Sequence, residues 1–279
     1  MGIFNELLKR DKSVGAAEAG WLRSCQCTQA QLQSEAFQAW AVRLHERPMH
    51  MHRKVWEYCY IAQALHERGL LAPGRRGLGF AVGQEPLPAL FASLGCEIVA
   101  TDLETDAARQ RGWVDTAQHA DSLEALNRRG ICDPELFHKR VSFRFADMRQ
   151  LPDDLGTFDF VWSSCSLEHL GTMALGERFV NESLKYLKPG GVSVHTTEFN
   201  VQSNGKTLTK GWTVIFRKKD MQRMAANVRR RGYRLDLDFA GGNLPYDRIV
   251  DKPPYQHDIH LKLSLDNFIV TSFGLIIER

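Results

Sequence analysis

The sequence lacks the features that mark membrane-spanning proteins and disulfide-rich secreted proteins. No stretch approaches the roughly 20 consecutive apolar residues that a membrane span needs. The segment from Met1 to Lys12 turns charged too soon for a secretory signal. The six cysteines are scattered, with no spacing typical of a zinc knuckle or a disulfide framework. We therefore expect free thiols and a cytoplasmic protein.

A strong net charge and low-complexity tracts are absent as well. The formal net charge is +3, which is too small to make nucleic acid an expected partner. The basic run Arg229–Arg231 precedes Gly232, and cations at that place are favourable for the C-terminus of a helix. Hydrophobic residues make up 43% of the chain, so we expect a globular protein and not chain-wide disorder.

The first 70 residues read as helical. Between Met49 and Leu71 apolar residues recur at three- and four-residue spacing, which indicates one buried helix face, and Gly69 then ends the helix. We expect an N-terminal helical extension over residues 1–72 and one larger domain over residues 73–279. The aromatic residues of the extension, Trp56, Tyr58 and Tyr60, predict that it packs against that domain and covers part of its ligand site.

After Gly74, short β-rich runs alternate with helical runs, which predicts an α/β fold with a mostly parallel sheet and helices on both faces. We expect seven strands, with an antiparallel hairpin at one edge, at 77–80, 97–101, 141–146, 158–163, 191–197, 233–238 and 267–278. Predicted helices lie at 86–94, 105–111, 122–129, 175–187 and 219–231. The connections 199–216 and 240–262 are long enough to carry binding residues or to cover a site.

Ligands of such sheets bind at the carboxyl ends of the strands. The first strand runs into the glycine-rich turn 77–86, where the backbone can approach a ligand closely. The second strand ends at Asp102, an acid suited to the two hydroxyls of a ribose, or else an ordinary helix cap. The third ends at Asp147 and Met148, which could take the amino group and the ring of adenine, although Asp147 also suits a plain turn.

Five landmarks occur in order, and together they resemble the successive motifs of class I S-adenosylmethionine-dependent methyltransferases over about residues 75–200. They are Gly79–Gly83, Asp102, Asp147, Phe158–Val161 and Leu187–Gly191. The resemblance implies a Rossmann-like seven-stranded fold and S-adenosylmethionine as cofactor, with its methionyl part on the glycine turn and its ribose on Asp102. The implied cofactor-binding residues are Gly77, Gly79, Ala81, Gly83, Glu85, Asp102, Asp147 and Met148.

The first motif departs from the family pattern at two positions. Gly77 stands where the family usually has an acid, and Ala81 replaces the middle glycine; Glu85 could compensate near the charged amine of the cofactor. The rival within this fold class, a nicotinamide-dependent oxidoreductase, shares the glycine turn and the acid. It does not account for the Lys-Pro-Gly-Gly turn at 188–191, and no Tyr-x-x-x-Lys proton donor is visible.

The fourth strand is followed by Glu168 and His169, which places both at the expected methyl-transfer site. Methyl transfer to a hydroxyl needs alignment of the nucleophile and removal of its proton. We therefore take His169 and Glu168 as candidate catalytic residues, the alternative being that they merely begin a helix.

A second resemblance concerns metal. Glu168-His169 and the later Thr197–Asn200 are similar to the metal-assisted hydroxyl methyltransferases that act on RNA 3′-terminal ribose and on ubiquinone precursors, although Cys165 replaces the first Glu of their Glu-x-x-Glu-His run. The implied divalent ion, of unspecified identity among Mg, Mn, Fe and Zn, would lower the proton affinity of a bound hydroxyl. Its candidate ligands are Glu168, His169, Glu198, His257 and His260, with exposed loop histidines as the alternative for the last two.

These observations predict O-methylation of a hydroxyl on a small polyol, sugar or glycan acceptor. Two alternatives stay open: an RNA ribose methyltransferase, which would bind RNA with a steep salt dependence, and a cofactor-binding scaffold without catalysis, which the altered first motif makes conceivable.

Overall fold

The computed structural model describes residues 20–110 and 119–279. In chain order the strands are β1 (Met51–His52), β2 (Arg76–Gly79), β3 (Glu97–Asp102), β4 (Val141–Phe145), β5 (Phe158–Ser164), β6 (Leu187–Asn200), β7 (Val250–Asp251), β8 (Ile259–His260), β9 (Lys262–Leu265) and β10 (Phe268–Glu278). The helices are α1 (Gln29–Gln33), α2 (Glu35–Arg43), α3 (Arg53–Glu67), α4 (Leu87–Ser93), α5 (Thr105–Gln110), α6 (Pro134–Arg140), α7 (Met173–Ser183) and α8 (Lys218–Arg230).

The main sheet has the strand order β4-β3-β2-β5-β6-β10-β9-β7. The strands from β4 to β6 are parallel, whereas β10 is antiparallel to both β6 and β9. The central strand β5, Phe-Asp-Phe-Val-Trp-Ser-Ser, is buried along its whole length, as expected for a strand covered on both faces. The predicted α/β class with a mostly parallel sheet between helices is therefore confirmed.

The far edge of the sheet differs from the prediction. Residues 233–238 form no strand, and their backbone pairs with β10 only through an isolated bridge between Arg234 and Glu278. The physical reason is competition for β10. The segment 24–27 occupies its middle, where Cys25 O accepts the N–H of Gly274 and Cys27 donates to Ser272 O, and β9 pairs with its beginning. With β7 added beyond β9, the described sheet has eight strands instead of seven.

The helices differ from the prediction at two places. The expected helix over 122–129 is only a short 3-10 turn, Glu124–Asn127. The sequence analysis missed α6, which begins with Asp133 as its N-cap: the carboxylate accepts the N–H of Leu136, and Pro134 opens the first turn.

The N-terminal extension is built into the core. One apolar cluster contains residues of the extension together with residues of β3, β5, β6 and β10. On α3, the fully buried rings of Trp56 and Tyr60 stack with centroids 4.6 Å apart. The Tyr60 ring lies against Gly274 of β10 so closely that a Cβ there would be 2.1 Å from it. The expected packing of the extension is present, whereas the boundary at residue 72 stays a prediction. No helix in the described residues is long and apolar enough to cross a membrane.

Candidate active site

A cavity of about 450 Å³ opens at the carboxyl ends of β2, β3, β4 and β5. This is the edge at which an open α/β sheet binds its ligands. Six of the eight predicted cofactor-binding residues line it: Ala81, Gly83, Glu85, Asp102, Asp147 and Met148.

The turn after β2 keeps the backbone shape of a glycine turn without all of its glycines. Ala81 has φ +47° and Gly83 has φ +50°, so Ala81 adopts the left-handed conformation that favours glycine. Gly77 and Gly79 do not line the cavity, contrary to prediction. A Cβ at Gly77 would lie 2.3 Å from the ring of Phe160, and one at Gly79 would lie 2.4 Å from that of Trp162. These two glycines are needed for packing inside the sheet.

Asp102, at the end of β3, lines the cavity and accepts three backbone hydrogen bonds there. Its Oδ2 accepts the backbone N–H groups of Gly83 and Ala120, at 3.0 and 3.1 Å, and its Oδ1 accepts that of Leu103 at 2.7 Å. Burial raises the pKa of this carboxyl, and the amide donors counteract the rise. His119, which the sequence analysis did not single out, lies 3.5 Å from Oδ2 and also lines the cavity.

Glu85 is buried in the connection that follows β2, where its Oε1 accepts the indole N–H of Trp162 at 2.6 Å. Burial raises its pKa to about 8, so this carboxyl is protonated at neutral pH unless a cation lies beside it.

The third strand ends as predicted, with Asp147 and Met148 in the cavity wall. The Asp147 carboxylate accepts from the guanidinium of Arg149, the nearest pair being 2.7 Å apart, and from the Arg149 backbone N–H at 2.8 Å. Met148 is buried and offers an apolar contact beside this acid.

His169 also lies in the cavity wall. Its Nδ1 is 2.9 Å from the carbonyl oxygen of Trp212, and the two rings stack with centroids 5.8 Å apart. The 209–214 segment that supplies Trp212 is held by backbone hydrogen bonds to Glu168, Gly171 and Met173. The long connection after β6 therefore contributes to the site, as its length indicated. Burial lowers the pKa of His169 to about 4.

Glu168 does not line the cavity. Its side chain is fully buried, and Oε2 accepts the hydroxyl hydrogen of Thr197 at 3.0 Å. Burial, followed by the charge of nearby Glu198, raises the pKa of Glu168 to about 8. The adjacent side chains of Glu168 and His169 therefore have different surroundings, and only His169 lines the cavity; a catalytic role of Glu168 stays a prediction.

The sequence analysis missed a buried ion cluster that α3 contributes beneath the cavity. Arg53 pairs with Glu198 at 2.5 Å and lies 3.8 Å from Glu57, and Lys54 pairs with Glu57 at 2.5 Å. Lys54 also lines the cavity, together with Tyr58 of the same helix. The signal in the sequence was the position of Glu57 among the apolar residues of α3, one turn after Arg53 and Lys54, since buried charges occur in proteins as pairs.

The five predicted metal ligands do not converge on one point. His169 contacts the Trp212 carbonyl, whereas Glu198 pairs with Arg53. Within residues 20–110 and 119–279, the one group of three side chains with metal-ligand atoms within 4.8 Å of one another is His52, His257 and His260. Of the five predicted ligands, only His257 and His260 belong to this group.

Comparisons with known proteins agree with this architecture. Residues 78–195 match a family model described as a methyltransferase domain. No curated protein sequence matches the chain.

Several solved structures resemble the chain at low identity. One, from Galdieria sulphuraria, is described as a sarcosine dimethylglycine methyltransferase and is 13% identical, with a TM-score of 0.48 over 81% of this chain and 83% of that one. Another is the magnesium protoporphyrin IX methyltransferase of Synechocystis PCC 6803, 13% identical, with a TM-score of 0.45 over 81% and 83%. A third is a bacterial methyltransferase domain, 13% identical, with a TM-score of 0.46 over 78% and 95%.

The matched segment runs from β2 to β6 and contains the glycine turn, Asp102 and Asp147, in the order and at the sheet edge that the resemblance implied. Over residues 78–195 the chain is thus similar to a methyltransferase domain, in agreement with the resemblance that its sequence motifs indicated.

Proposed function

We propose that the protein transfers the methyl group of S-adenosylmethionine to a hydroxyl of a small polyol, sugar or glycan acceptor, with His169 as the general base. The observation that carries this proposal is the contact between His169 Nδ1 and the Trp212 carbonyl. A carbonyl oxygen only accepts, so Nδ1 bears the proton of the neutral ring and Nε2 bears the lone pair. A low pKa keeps the ring unprotonated at neutral pH.

The chemistry of the cavity wall suits the cofactor. S-adenosylmethionine carries an ammonium and a sulfonium cation, and three acids line the cavity, namely Glu85, Asp102 and Asp147. When bound, it would supply an electrophilic methyl group. Asp102 would hold the ribose hydroxyls, the turn at Ala81–Gly83 would contact the methionyl part, and Glu85 would ionise beside the amine. The volume of about 450 Å³ is at the small end of the range of ligand cavities.

The polar groups of the cavity wall also suit a small hydroxyl compound. The wall carries hydroxyl, ammonium and imidazole groups from Tyr58, Lys54, Ser164, Ser166 and His169. Such groups can hydrogen-bond the hydroxyls of a polyol. A general base matters most for this kind of nucleophile, since a hydroxyl must lose its proton as the carbon–oxygen bond forms. Glu168, buried behind His169, would act only on the position of the loop.

The test is transfer of a radiolabelled methyl group from S-adenosylmethionine to a panel of sugars, polyols and glycans, with RNA as a separate arm. We expect labelled product from a hydroxyl acceptor and its loss in the His169→Ala variant, while the variant with the exposed His138→Ala change stays active. Labelling of RNA alone would favour the ribose methyltransferase instead. Cofactor binding by calorimetry without turnover on any acceptor would favour a non-catalytic scaffold.

A further inference from the structure

Three histidines form a cluster at the edge of the cavity, outside the methyl-transfer site described above. One ring nitrogen each from His52, His257 and His260 lies within 4.8 Å of the other two. The ring centroids of His52 and His260 are 4.6 Å apart, and those of His257 and His260 are 4.7 Å apart. Imidazole nitrogens in this number and proximity are ligands for first-row transition metals, zinc among them.

The backbone brings these rings together from distant parts of the chain. β1 and β8 form a separate two-stranded parallel sheet, and its register makes His52 the partner of His260. Directly paired residues present their side chains on the same face. His257 has φ +63°, a left-handed conformation that a non-glycine residue holds only when its surroundings impose it.

A metal-binding histidine commonly donates its second ring N–H to a carboxylate, and Asp251 supplies that carboxylate for His260. Its Oδ2 lies 2.6 Å from Nδ1 of His260, and both side chains are about 5% exposed. The same carboxylate accepts the backbone N–H groups of Gln256 and His257, each at 3.1 Å. A proton on Nδ1 of His260 leaves the lone pair on Nε2, the nitrogen through which a carboxylate-held imidazole coordinates a metal.

His52 is the ligand that has to adjust. Its Nδ1 accepts the backbone N–H of Lys54 at 3.0 Å, so the neutral ring carries its proton on Nε2. Coordination through Nε2 requires the ring to turn away from that N–H. The positive charge of Arg53, the next residue in the sequence, is compensated by its ion pairs with Glu198 and Glu57.

We propose that His52, His257 and His260 bind one first-row transition-metal ion, with Asp251 as a positioning residue. His52 also lines the cavity, so the ion would lie at the cavity rim and would join the N-terminal extension to the 250–260 loop. Of the ligands that the sequence suggested, this site includes His257 and His260 but not Glu168, His169 or Glu198. It is also independent of the proposed hydroxyl acceptor, because its test measures metal binding and not methyl transfer.

The experiment titrates Zn²⁺ into the full chain by calorimetry, after removal of any affinity tag and of bound metal, and Co²⁺ with detection of its visible absorption. We expect one ion per chain, with absorption bands typical of nitrogen ligands. Asp251→Asn should weaken binding about 10–100-fold, the usual effect of losing an outer-shell partner. His257→Ala and His260→Ala should weaken it more, and His52→Ala least of the three ligands.

The control variant is His138→Ala, an exposed histidine on α6 outside the cluster, which should bind like the unmodified chain. His257 is itself exposed, so His257→Ala tests the site without disturbing the core, and circular dichroism checks the folding of each variant. Absence of saturable Zn²⁺ binding to the unmodified chain would overturn the proposal. Undiminished binding by the folded His257→Ala variant would overturn it as well.

Discussion

The Oδ2 oxygen of Asp102 accepts the backbone N–H of Gly83 at 3.0 Å. This hydrogen bond joins the end of β3 to the glycine-rich turn that follows β2. The carboxylate thereby orients the turn that we propose for the methionyl part of the cofactor, and the same residue is the one proposed to hold the ribose.

Asp102→Ala should therefore weaken the binding of S-adenosylmethionine. We expect a loss of roughly 2–3 kcal/mol, because charge-assisted hydrogen bonds are lost together with the support of the turn. Calorimetry gives the affinity, and Asp106→Ala, an exposed acid on α5, is the matched control. Equal affinities of a folded Asp102→Ala variant and the unmodified chain would remove Asp102 from the site.

His169→Ala should lower kcat by roughly 10²–10⁴-fold, the usual contribution of a positioned general base. The affinity for S-adenosylmethionine should stay unchanged, because His169 is proposed to act on the acceptor hydroxyl and not to bind the cofactor. Steady-state kinetics with the accepted substrate and calorimetry with the cofactor measure the two effects separately. A parallel loss of cofactor affinity would indicate that the ring supports the fold of the cavity and not the proton transfer.

The acid limb of the pH–rate profile should lie well below neutrality. Only the unprotonated ring can accept a proton, so the rate is constant above the pKa of His169 and falls as the pH falls through it. Burial lowers that pKa to about 4, below the ordinary histidine value. Rates measured from pH 4 to pH 8 in the folded protein test this. An inflection of the rate between about pH 6 and 7, near the ordinary histidine pKa, would show that His169 is not desolvated in the working enzyme.

Glu85→Gln should stabilise the cofactor-free protein at alkaline pH. Burial raises the pKa of this carboxyl from 4.5 to about 8, so between these values the folded state holds a proton that the unfolded state has released. The free energy of unfolding then decreases as the pH rises, by up to about 1.4 kcal/mol per pH unit. Glutamine removes this dependence and can still accept the indole N–H of Trp162.

Chemical denaturation of Glu85→Gln and of the unmodified chain at pH 5 and pH 8 measures the difference. The control is Glu97→Gln, since Glu97 has an exposed side chain on β3. A difference between the Glu85 variant and the unmodified chain that does not grow with pH would show that Glu85 ionises freely.

Gly274→Ala should destabilise the protein by roughly 1–3 kcal/mol or more, as overpacking of a core does. A Cβ at Gly274 would lie 2.1 Å from the ring of Tyr60, and that ring is held by the donation of its hydroxyl to the Arg23 carbonyl at 2.8 Å. Thermal unfolding gives the effect. Gly205→Ala is the control, because its nearest neighbour, Ser203 Oγ, is 3.5 Å away. An unchanged melting temperature for Gly274→Ala would contradict the close packing of α3 on β10.

The α/β class, the succession of strands β2 to β6 along the chain and six residues of the cavity wall could be predicted from the sequence. These features depend on local pattern: apolar β-rich runs separated by amphipathic helices, and acids directly after strands. Asp102, Asp147 and the turn at Ala81–Gly83 follow from the rule that parallel strands expose their carboxyl ends at one edge. The family resemblance added the expected identity of the ligand, because the order of these motifs along the chain matches the family's.

Other features depended on contacts between distant segments, which no local pattern encodes. The pairing of residues 24–27 with β10 displaced the expected strand at 233–238, because both segments compete for one strand edge. Glu168 and His169 are neighbours in sequence, yet tertiary packing buries one against Thr197 and turns the other into the cavity. Likewise only the pairing of β1 with β8 brings His52 to His260, more than 200 positions later in the sequence, because the tertiary structure alone decides which backbone edges meet.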